Sequence, residues 1–184
     1  MMFINSMLAG IAISLGCWVY LITPNKIVGA FLFSCGLLAV RIYKLNLFTG
    51  KCQFILGLKN PVSYYIKVLL GNLAGVLLMT LITPAKIGAA ASEIALLRQS
   101  QTFLQALAAG VGCGALMSLA TYAETPLWVS SLCVAAFILG GLNHCMADAF
   151  YMLASKIISI TWFGTMIGNA IGGAIFSKLL VKDG

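Results

Sequence analysis

Charged side chains are scarce in this sequence. Only 8% of its 184 residues are Asp, Glu, Lys or Arg, and only four are carboxylates, whereas soluble domains carry roughly 25% charged residues. A further 61% are hydrophobic, in runs that match the roughly 20 residues needed to cross a bilayer as a helix. The composition excludes a soluble globular protein and predicts an integral membrane protein.

Several other signals are also missing. The first apolar segment has no basic flank and no small-residue cleavage site, which predicts a retained helix and not a signal peptide. The basic residues are scattered, so the net charge of +7 indicates lysines flanking membrane spans and no nucleic-acid partner. The six cysteines form no Cys-x-x-Cys pair, and one histidine is too few for most metal sites. With no Ser-His-Asp order or phosphate loop, we expect no enzyme, no metal and no cofactor.

Six apolar spans are predicted, at about residues 3–22, 27–58, 63–82, 102–122, 127–153 and 160–181, with residues 85–101 as the longest polar connection. The second and fifth spans are too long for one straight crossing, and polar residues interrupt both. Non-helical backbone at membrane depth is tolerated only where protein buries it or a cavity hydrates it. We therefore predict that the second and fifth helices are broken, near residues 44–50 and 142–148.

Three pairs of similar stretches suggest an internal repeat. "LLGNLAGVLL" around Asn72 matches "MIGNAIGGAI" around Asn169 at an offset of 97, and "AGIAISLGC" from Ala9 matches "AGVGCGALM" at an offset of 100. "NLFT" from Asn46 aligns with "DAFY" from Asp148 at an offset of 102. We predict one transmembrane domain with a first repeat at about 1–84 and a second at about 100–184. Because each repeat has three spans, the second is inverted.

The only histidine, His144, stands in "GGLNHCMADAF", four positions before Asp148. An ionisable group at membrane depth costs about 2.5–3.5 kcal/mol on insertion scales, which makes it a functional candidate. The alternative is that His144 is a neutral imidazole whose hydrogen bonds a neighbouring residue satisfies. The place of His144 in one of two paired breaks favours a pore-lining role. Histidine has an unperturbed pKa of about 6.5, so it can exchange a proton in the physiological range. We expect Asn72 and Asn169 to bond the freed backbone of the broken helices.

Five stretches occur in an order typical of a known family: "LNLFTG", "GNLAG", "TFLQALAAG", "GGLNHCMADAF" and "IGNAIGG". Over nearly its whole length the chain resembles the formate/nitrite transporter family. The resemblance implies an all-α membrane protein with six transmembrane helices in an inverted 3+3 repeat and an aquaporin-like protomer. It also implies a homopentamer with one pore per subunit, in the cell membrane, with both termini cytoplasmic.

The resemblance also implies roles for individual residues. His144, Thr49 and Asn169 fall on the central pore of the family. Its two hydrophobic constrictions correspond to Leu37, Leu47 and Phe48 on one side and to Phe33 and Phe137 on the other. Arg98 stands where the family usually has a lysine near the outer vestibule.

The chain departs from the family pattern around the predicted pore. Lys44, Leu45 and Asn46 stand where Gly-Ala-Asp is common, Asn143 replaces a common Glu, and Asp148 replaces a common Asn. We expect Lys44, Arg98, Arg41 and Lys51 to supply positive potential for an anion. Asp148 would favour the imidazolium form of His144, and would repel anions unless Lys44 or Arg41 pairs with it.

The sequence therefore predicts a channel for small monovalent anions or their weak acids, such as formate, nitrite or hydrosulfide. The anion would pass two hydrophobic constrictions with His144 as a central proton donor. One alternative is an aquaporin-like channel for a neutral solute such as water or urea, which needs no titrating histidine. Another is a non-conducting membrane subunit of a larger complex.

Overall fold

The computed structural model describes residues 1–57 and 60–180, and regular secondary structure in these ranges is helical. The elements in chain order are α1 (Met2–Ile22), α2 (Lys26–Ile42), α3 (Phe48–Lys51), a 3-10 helix (Cys52–Gly57), α4 (Pro61–Leu81), α5 (Ala85–Ser100), α6 (Phe103–Thr121), α7 (Leu127–Leu139), α8 (Cys145–Ser155) and α9 (Thr161–Leu180). The predicted ends of the second span at Leu58 and of the sixth span at Val181 lie outside the described residues.

Three of these helices, α1, α4 and α6, are long and apolar enough to cross a membrane, and α7 is a shorter apolar helix. Their starts follow local chemistry. The side chain of Asn25 accepts hydrogen bonds from the first turn of α2, and Thr102 with Gln105 forms a reciprocal capping box before α6. These caps satisfy backbone N–H groups that have no partner inside a helix.

Helix α1 packs against α2 and α4, and α6 packs against α7 and α9. Glycine permits the closest approaches. A Cβ on Gly75 would collide with the carbonyl oxygen of Met7, and a Cβ on Gly172 would collide with that of Val111. The α1–α4 and α6–α9 pairs thus pack backbone to backbone, as small residues allow between membrane helices.

The segment predicted as a polar connection, residues 85–101, forms the 16-residue helix α5. The sequence predicts the connection but not that it is helical. Ile87, Ala91 and Ala95 recur every four residues, are buried, and lie on an element that packs against α8. The segment is rich in alanine, the strongest helix former. Lys86 and Glu93 are exposed, whereas Arg98, three residues after Ala95, is only partly exposed.

The second and fifth helices are both interrupted, as the sequence predicts. The first interruption separates Ile42 from Phe48, and the second separates Leu139 from Cys145. Both lie a few residues earlier than predicted, because helical structure resumes at Phe48 and Cys145. The hydrogen bonds that start α3 and α8 explain this shift.

Candidate functional site

The first break begins with a tight reversal at the end of α2. The Leu45 N–H donates to the carbonyl of Val40 over 2.8 Å, and the Lys44 N–H donates to that of Arg41 over 3.2 Å. This pair of bonds is the Schellman motif, which requires a left-handed residue directly after the helix. Lys44 fills that position with a φ of +52°.

The second break begins in the same way at the end of α7. Leu142 N–H donates to Phe137 over 2.9 Å, and Gly141 N–H donates to Ile138 over 3.1 Å. The left-handed residue is Gly141, with a φ of +68°. The two helices thus end with one geometry, but one uses glycine and the other uses Lys44.

The amide of Asn72 holds the first break against α1 and α4. Its Oδ1 accepts from Phe48 N–H over 2.7 Å. Its Nδ2 donates to the carbonyl of Ser6 over 2.7 Å and to that of Asn46 over 2.8 Å. One buried side chain therefore starts α3 and satisfies the backbone released by the break.

Asn169 does the same for the second break. Its Oδ1 accepts from Cys145 N–H, and its Nδ2 donates to the carbonyls of Gly110 and Asn143, each over 2.8 Å. The expectation that both asparagines bond the freed backbone is confirmed. Both are fully buried, where an amide without partners would be costly.

These bonds correct the alignment of the two breaks. Asn46 and Asn143 occupy matching positions, at the offset of 97 that also relates Asn72 to Asn169. The sequence alignment of Asn46 with Asp148 is therefore wrong by five residues. That alignment depended on a weak similarity between two four-residue stretches. The hydrogen bonds show directly which backbone groups occupy equivalent positions.

His144 lies between the two breaks. Its Nε2 is 2.9 Å from Oγ1 of Thr49, and its Nδ1 accepts from Ala147 N–H over 3.2 Å, which caps α8. Both side chains are buried, with Thr49 at 0% and His144 at 2% exposure. Because Nδ1 accepts, the neutral ring carries its proton on Nε2, and that proton is donated to Thr49.

Apolar rings adjoin the histidine. The Phe137 ring stacks on His144 with centroids 5.6 Å apart, and Phe33 meets Phe137 edge to face at 6.0 Å. Leu37 and Leu47 are also buried, each with 1% exposure, and Phe48 has 6%. The residues expected at the two constrictions therefore lie in the buried interior around the histidine.

Two cavities open near this centre. The lysine cavity, about 380 Å³, is lined by Arg41, Lys44, Lys51 and apolar neighbours that include Leu47. The histidine cavity, about 150 Å³, is lined by His144, Arg98, Asp148 and neighbours that include Tyr20 and Phe137.

The two cavities lie toward opposite ends of the α1–α2 pair. Gly16 meets the carbonyl of Phe33, and Gly36 meets that of Ala12, so these helices run antiparallel. Tyr20 is therefore level with the start of α2 and lies roughly 18 Å along the axis from Arg41, at 1.5 Å per residue. The buried histidine and the apolar rings lie between the two openings.

The sequence model of a protein family, described as "Formate/nitrite transporter", matches residues 1–181. The chain belongs to the formate/nitrite transporter family. Together with the long apolar helices, this membership establishes a membrane protein. None of the curated protein sequences matches the chain.

Two solved structures share the fold of this family member. One, titled "Pentameric formate channel with formate bound", is 22% identical with a TM-score of 0.80, over 96% of this chain and 93% of that one. Another, titled "FNT family ion channel", is 20% identical with a TM-score of 0.80, over 97% of this chain and 87% of that one.

In this formate/nitrite transporter homologue, Arg98 pairs with Asp148. Its Nε donates to Oδ1 of the carboxylate over 3.0 Å, and it is the single ion pair found in residues 1–57 and 60–180. Lys44 and Arg41 were the two candidate partners of Asp148 in the sequence, and neither of them pairs with it. Arg98 lies on α5, the helix that the sequence reading had taken for a connection.

Arg98 also holds the second break. Its Nη1 donates to the carbonyl of Gly141 over 3.2 Å, and its Nη2 donates to that of Leu142 over 3.1 Å. One guanidinium thus binds the turn after α7 and the first turns of α8. Its charge is matched by a carboxylate and is not free to attract an anion.

Arg41 holds a different loop. Its guanidinium donates to the carbonyls of Thr125 and Tyr122 over 2.7 and 3.0 Å, and to Oγ of Ser130 over 2.5 Å. Lys44 is exposed, and the Lys51 ammonium lies 5.9 Å from the centroid of Phe54. The lysine cavity therefore has three cations without a bonded carboxylate in the described chain.

Sequence reasoning missed the partners of Asn143. Its Nδ2 donates to Oε1 of Gln101 over 2.6 Å and to Oγ1 of Thr165 over 3.1 Å. Tyr20, which lines the histidine cavity, was also missed. These residues come from three distant segments, so no local pattern in the sequence marks them.

Proposed function

We propose that this protein is a membrane channel that passes small monovalent anions, such as formate, nitrite or hydrosulfide, as their conjugate weak acids. The observation that carries the proposal is the hydrogen bond between Thr49 and His144. It joins the two helix breaks at a buried point between two cavities. The family membership and the solved neighbour titled as a formate channel support the same substrate class.

The apolar side chains at the two proposed constrictions explain why the anion must be protonated. An anion that moves past Phe33 and Phe137, or past Leu37, Leu47 and Phe48, exchanges its hydration for an apolar surface, at a large cost in free energy. The neutral acid does not carry that cost. A group that adds one proton to the anion between the constrictions therefore lowers the barrier to passage.

His144 is the group placed to do this. In the proposed cycle, cationic His144 gives one proton to the anion and returns to the neutral ring, and the neutral acid leaves. A proton from water forms the cation again when the next anion approaches, so one proton crosses with each anion. Thr49 orients the imidazole ring for this exchange, because its hydroxyl oxygen accepts from Nε2.

The cap on α8 couples this cycle to the helix. Neutral His144 accepts from Ala147 N–H through Nδ1, but the cationic ring has protons on both nitrogens and loses that bond. The resting channel therefore favours the neutral ring. The cation forms when an approaching anion supplies a compensating charge.

The proposed architecture is an inverted 3+3 repeat of six transmembrane segments. The matched bonds of Asn72 and Asn169 and the matched turns at Lys44 and Gly141 support it. We also propose a homopentamer in the cell membrane with cytoplasmic termini. The solved neighbour described as pentameric supports the assembly.

One observation favours a second function, a channel for a neutral solute. Neutral His144 is bonded at both nitrogens and could line a pore without titrating. Flux into proteoliposomes, measured for a panel of weak acids and for urea between pH 5 and 8, separates the two functions. Weak-acid flux that rises as the pH falls supports the proposal, and urea flux without weak-acid flux supports the alternative.

A further inference from the structure

Lys44 occupies a backbone conformation that a side chain disfavours. Its φ of +52° lies in the left-handed region, where Cβ crowds the following carbonyl. The matching turn in the other half uses Gly141. Strained residues of this kind cluster at functional sites, so the side chain of Lys44 is the feature to explain.

The side chain of Lys44 is exposed and lines the lysine cavity. Among the cations there, Arg41 is bound to a set of carbonyls, and Lys51 lies over Phe54. Of these three cations, Lys44 is the most available to bind an anion. Glu124, in the loop that Arg41 binds, is exposed and forms no ion pair in the described chain.

The histidine cavity has a different charge pattern. Its arginine, Arg98, is bonded to Asp148, so the two charges that line it cancel. One further cation, Lys26, lies 4.9 Å from the centroid of the Tyr20 ring at this end. The linings of the two cavities are therefore unequal, because one carries three cations without a bonded carboxylate and the other carries one arginine paired with one carboxylate.

We propose that Lys44 captures the anion, that the lysine cavity is its binding mouth, and that the histidine cavity exchanges the neutral acid. This inference rests on the proposed function for the identity of the substrate. The asymmetry of charge between the two mouths is independent of that function. Like charges in one cleft raise the local concentration of an oppositely charged solute.

A passive channel cannot favour one direction at equal pH and zero voltage. The ratio kcat/KM must then be equal in both directions, because the equilibrium constant for transport is one. The asymmetry therefore lies in KM and kcat taken separately. Transport that starts at the lysine cavity should saturate at a lower concentration, with a lower maximal rate.

The charge of each mouth can be measured without transport. In a Cys35→Ser background, which removes the exposed cysteine, Ala123→Cys reports on the lysine cavity and Ile94→Cys on the histidine cavity. Each is labelled with an anionic and a cationic methanethiosulfonate reagent, and the ratio of the two rates is compared with that of a free thiol.

The anionic reagent should be favoured about threefold to tenfold at residue 123, as expected for unit charges several ångströms away in screened water. At residue 94 the ratio should stay near that of the free thiol. Formate should slow labelling at residue 123 and not at residue 94. Equal ratios at the two positions, or formate protection only at residue 94, would overturn the proposal.

Lys44 itself is tested by Lys44→Gly and Lys44→Arg. In the first, the rate ratio at residue 123 should fall about threefold or more and formate protection should weaken, while the protein unfolds at a higher temperature. Lys44→Arg should restore the ratio and the protection. An unchanged ratio in Lys44→Gly would show that Lys44 does not capture the anion.

The matching transport measurement uses proteoliposomes of defined orientation. Lys44→Gly should raise the KM for formate from the lysine side by about threefold or more, with a smaller change from the other side. If the labelling asymmetry is found but no weak acid crosses, the proposed function fails and the anion-binding mouth stands. If weak acids cross with equal KM from both sides, the proposed function stands and this inference fails.

Discussion

The hydroxyl of Thr49 lies 2.9 Å from Nε2 of His144 and joins two breaks that are 95 residues apart in the chain. Each residue also depends on an asparagine, since Asn72 holds the start of α3 and Asn169 the start of α8. The pair at the centre is thus positioned by backbone bonds from both halves. Its geometry should be sensitive to small changes at either asparagine.

Substitutions of His144 distinguish a histidine that donates a proton to the anion from one that only lines the pore with a polar group. His144→Asn keeps a hydrogen-bonding side chain that does not titrate, so weak-acid flux should fall at least tenfold and lose its dependence on pH. His144→Phe should abolish flux and leave assembly intact, because a ring of similar size refills the space. Flux of formate into proteoliposomes across pH 5–8 provides the measurement. Anion flux with an unchanged pH profile in His144→Asn would favour the neutral-solute channel.

Thr49→Val removes the only hydrogen-bond partner that Nε2 of His144 has in the described residues. A buried N–H left without an acceptor costs about 1–3 kcal/mol, so the variant should unfold at a lower temperature and carry less weak acid. Thr49→Ser, which keeps the hydroxyl, is the matched control and should retain both properties. Equal loss in the two variants would show that the methyl group, and not the hydrogen bond, is what the site requires.

The two left-handed turns predict opposite stability effects. Lys44→Gly relieves the conformational penalty of a side chain at positive φ and should stabilise the protein by about 1 kcal/mol. Gly141→Ala should destabilise it by a similar amount, and for conformation alone, since an added Cβ meets no atom within 4 Å. Lys156 also has a positive φ, of +61°, so Lys156→Gly should stabilise the protein for the same reason.

Thermal unfolding in detergent, followed by scanning fluorimetry, measures these effects. Lys67→Gly is the control, because it places glycine inside α4, where it should destabilise. A lower unfolding temperature for Lys44→Gly would mean that contacts of its side chain outweigh the strain of its backbone.

The Arg98–Asp148 pair should behave as a unit. Asp148 has 1% side-chain exposure and Arg98 15%, and removing one partner of a buried pair costs about 3–5 kcal/mol. Asp148→Asn and Arg98→Gln should each lower the unfolding temperature, and the double variant should lose less than the sum of the two. Strict additivity in this double-mutant cycle would mean that the two side chains act separately.

The assembly can be tested directly. The described chain exposes many large apolar side chains, among them Leu81, Leu104 and Trp128, which lipid or neighbouring protomers must cover. Native mass spectrometry in mild detergent should give a mass of five protomers. A stable monomer or dimer at the same detergent concentration would contradict the pentamer.

Much of the fold could be predicted from the sequence alone. The scarcity of charge required a membrane, and α1, α4 and α6 begin and end within about two residues of their predicted spans, because hydropathy and caps are local properties. The two breaks were predictable too, since polar residues at membrane depth need partners or water. The sequence also placed Thr49 and His144 at the two predicted breaks, because each stands in one of the interrupting stretches.

Only the tertiary structure decided how these parts meet. Arg98 and Asp148 are 50 residues apart, and nothing in the sequence near either one indicates the other, so the sequence offered Lys44 and Arg41 as candidate partners instead. The match of Asn46 with Asn143, and not with Asp148, likewise depends on which amide each backbone reaches. Hydropathy records how deep a residue lies in the membrane, whereas the partner of a buried charge is set by the packing of distant helices.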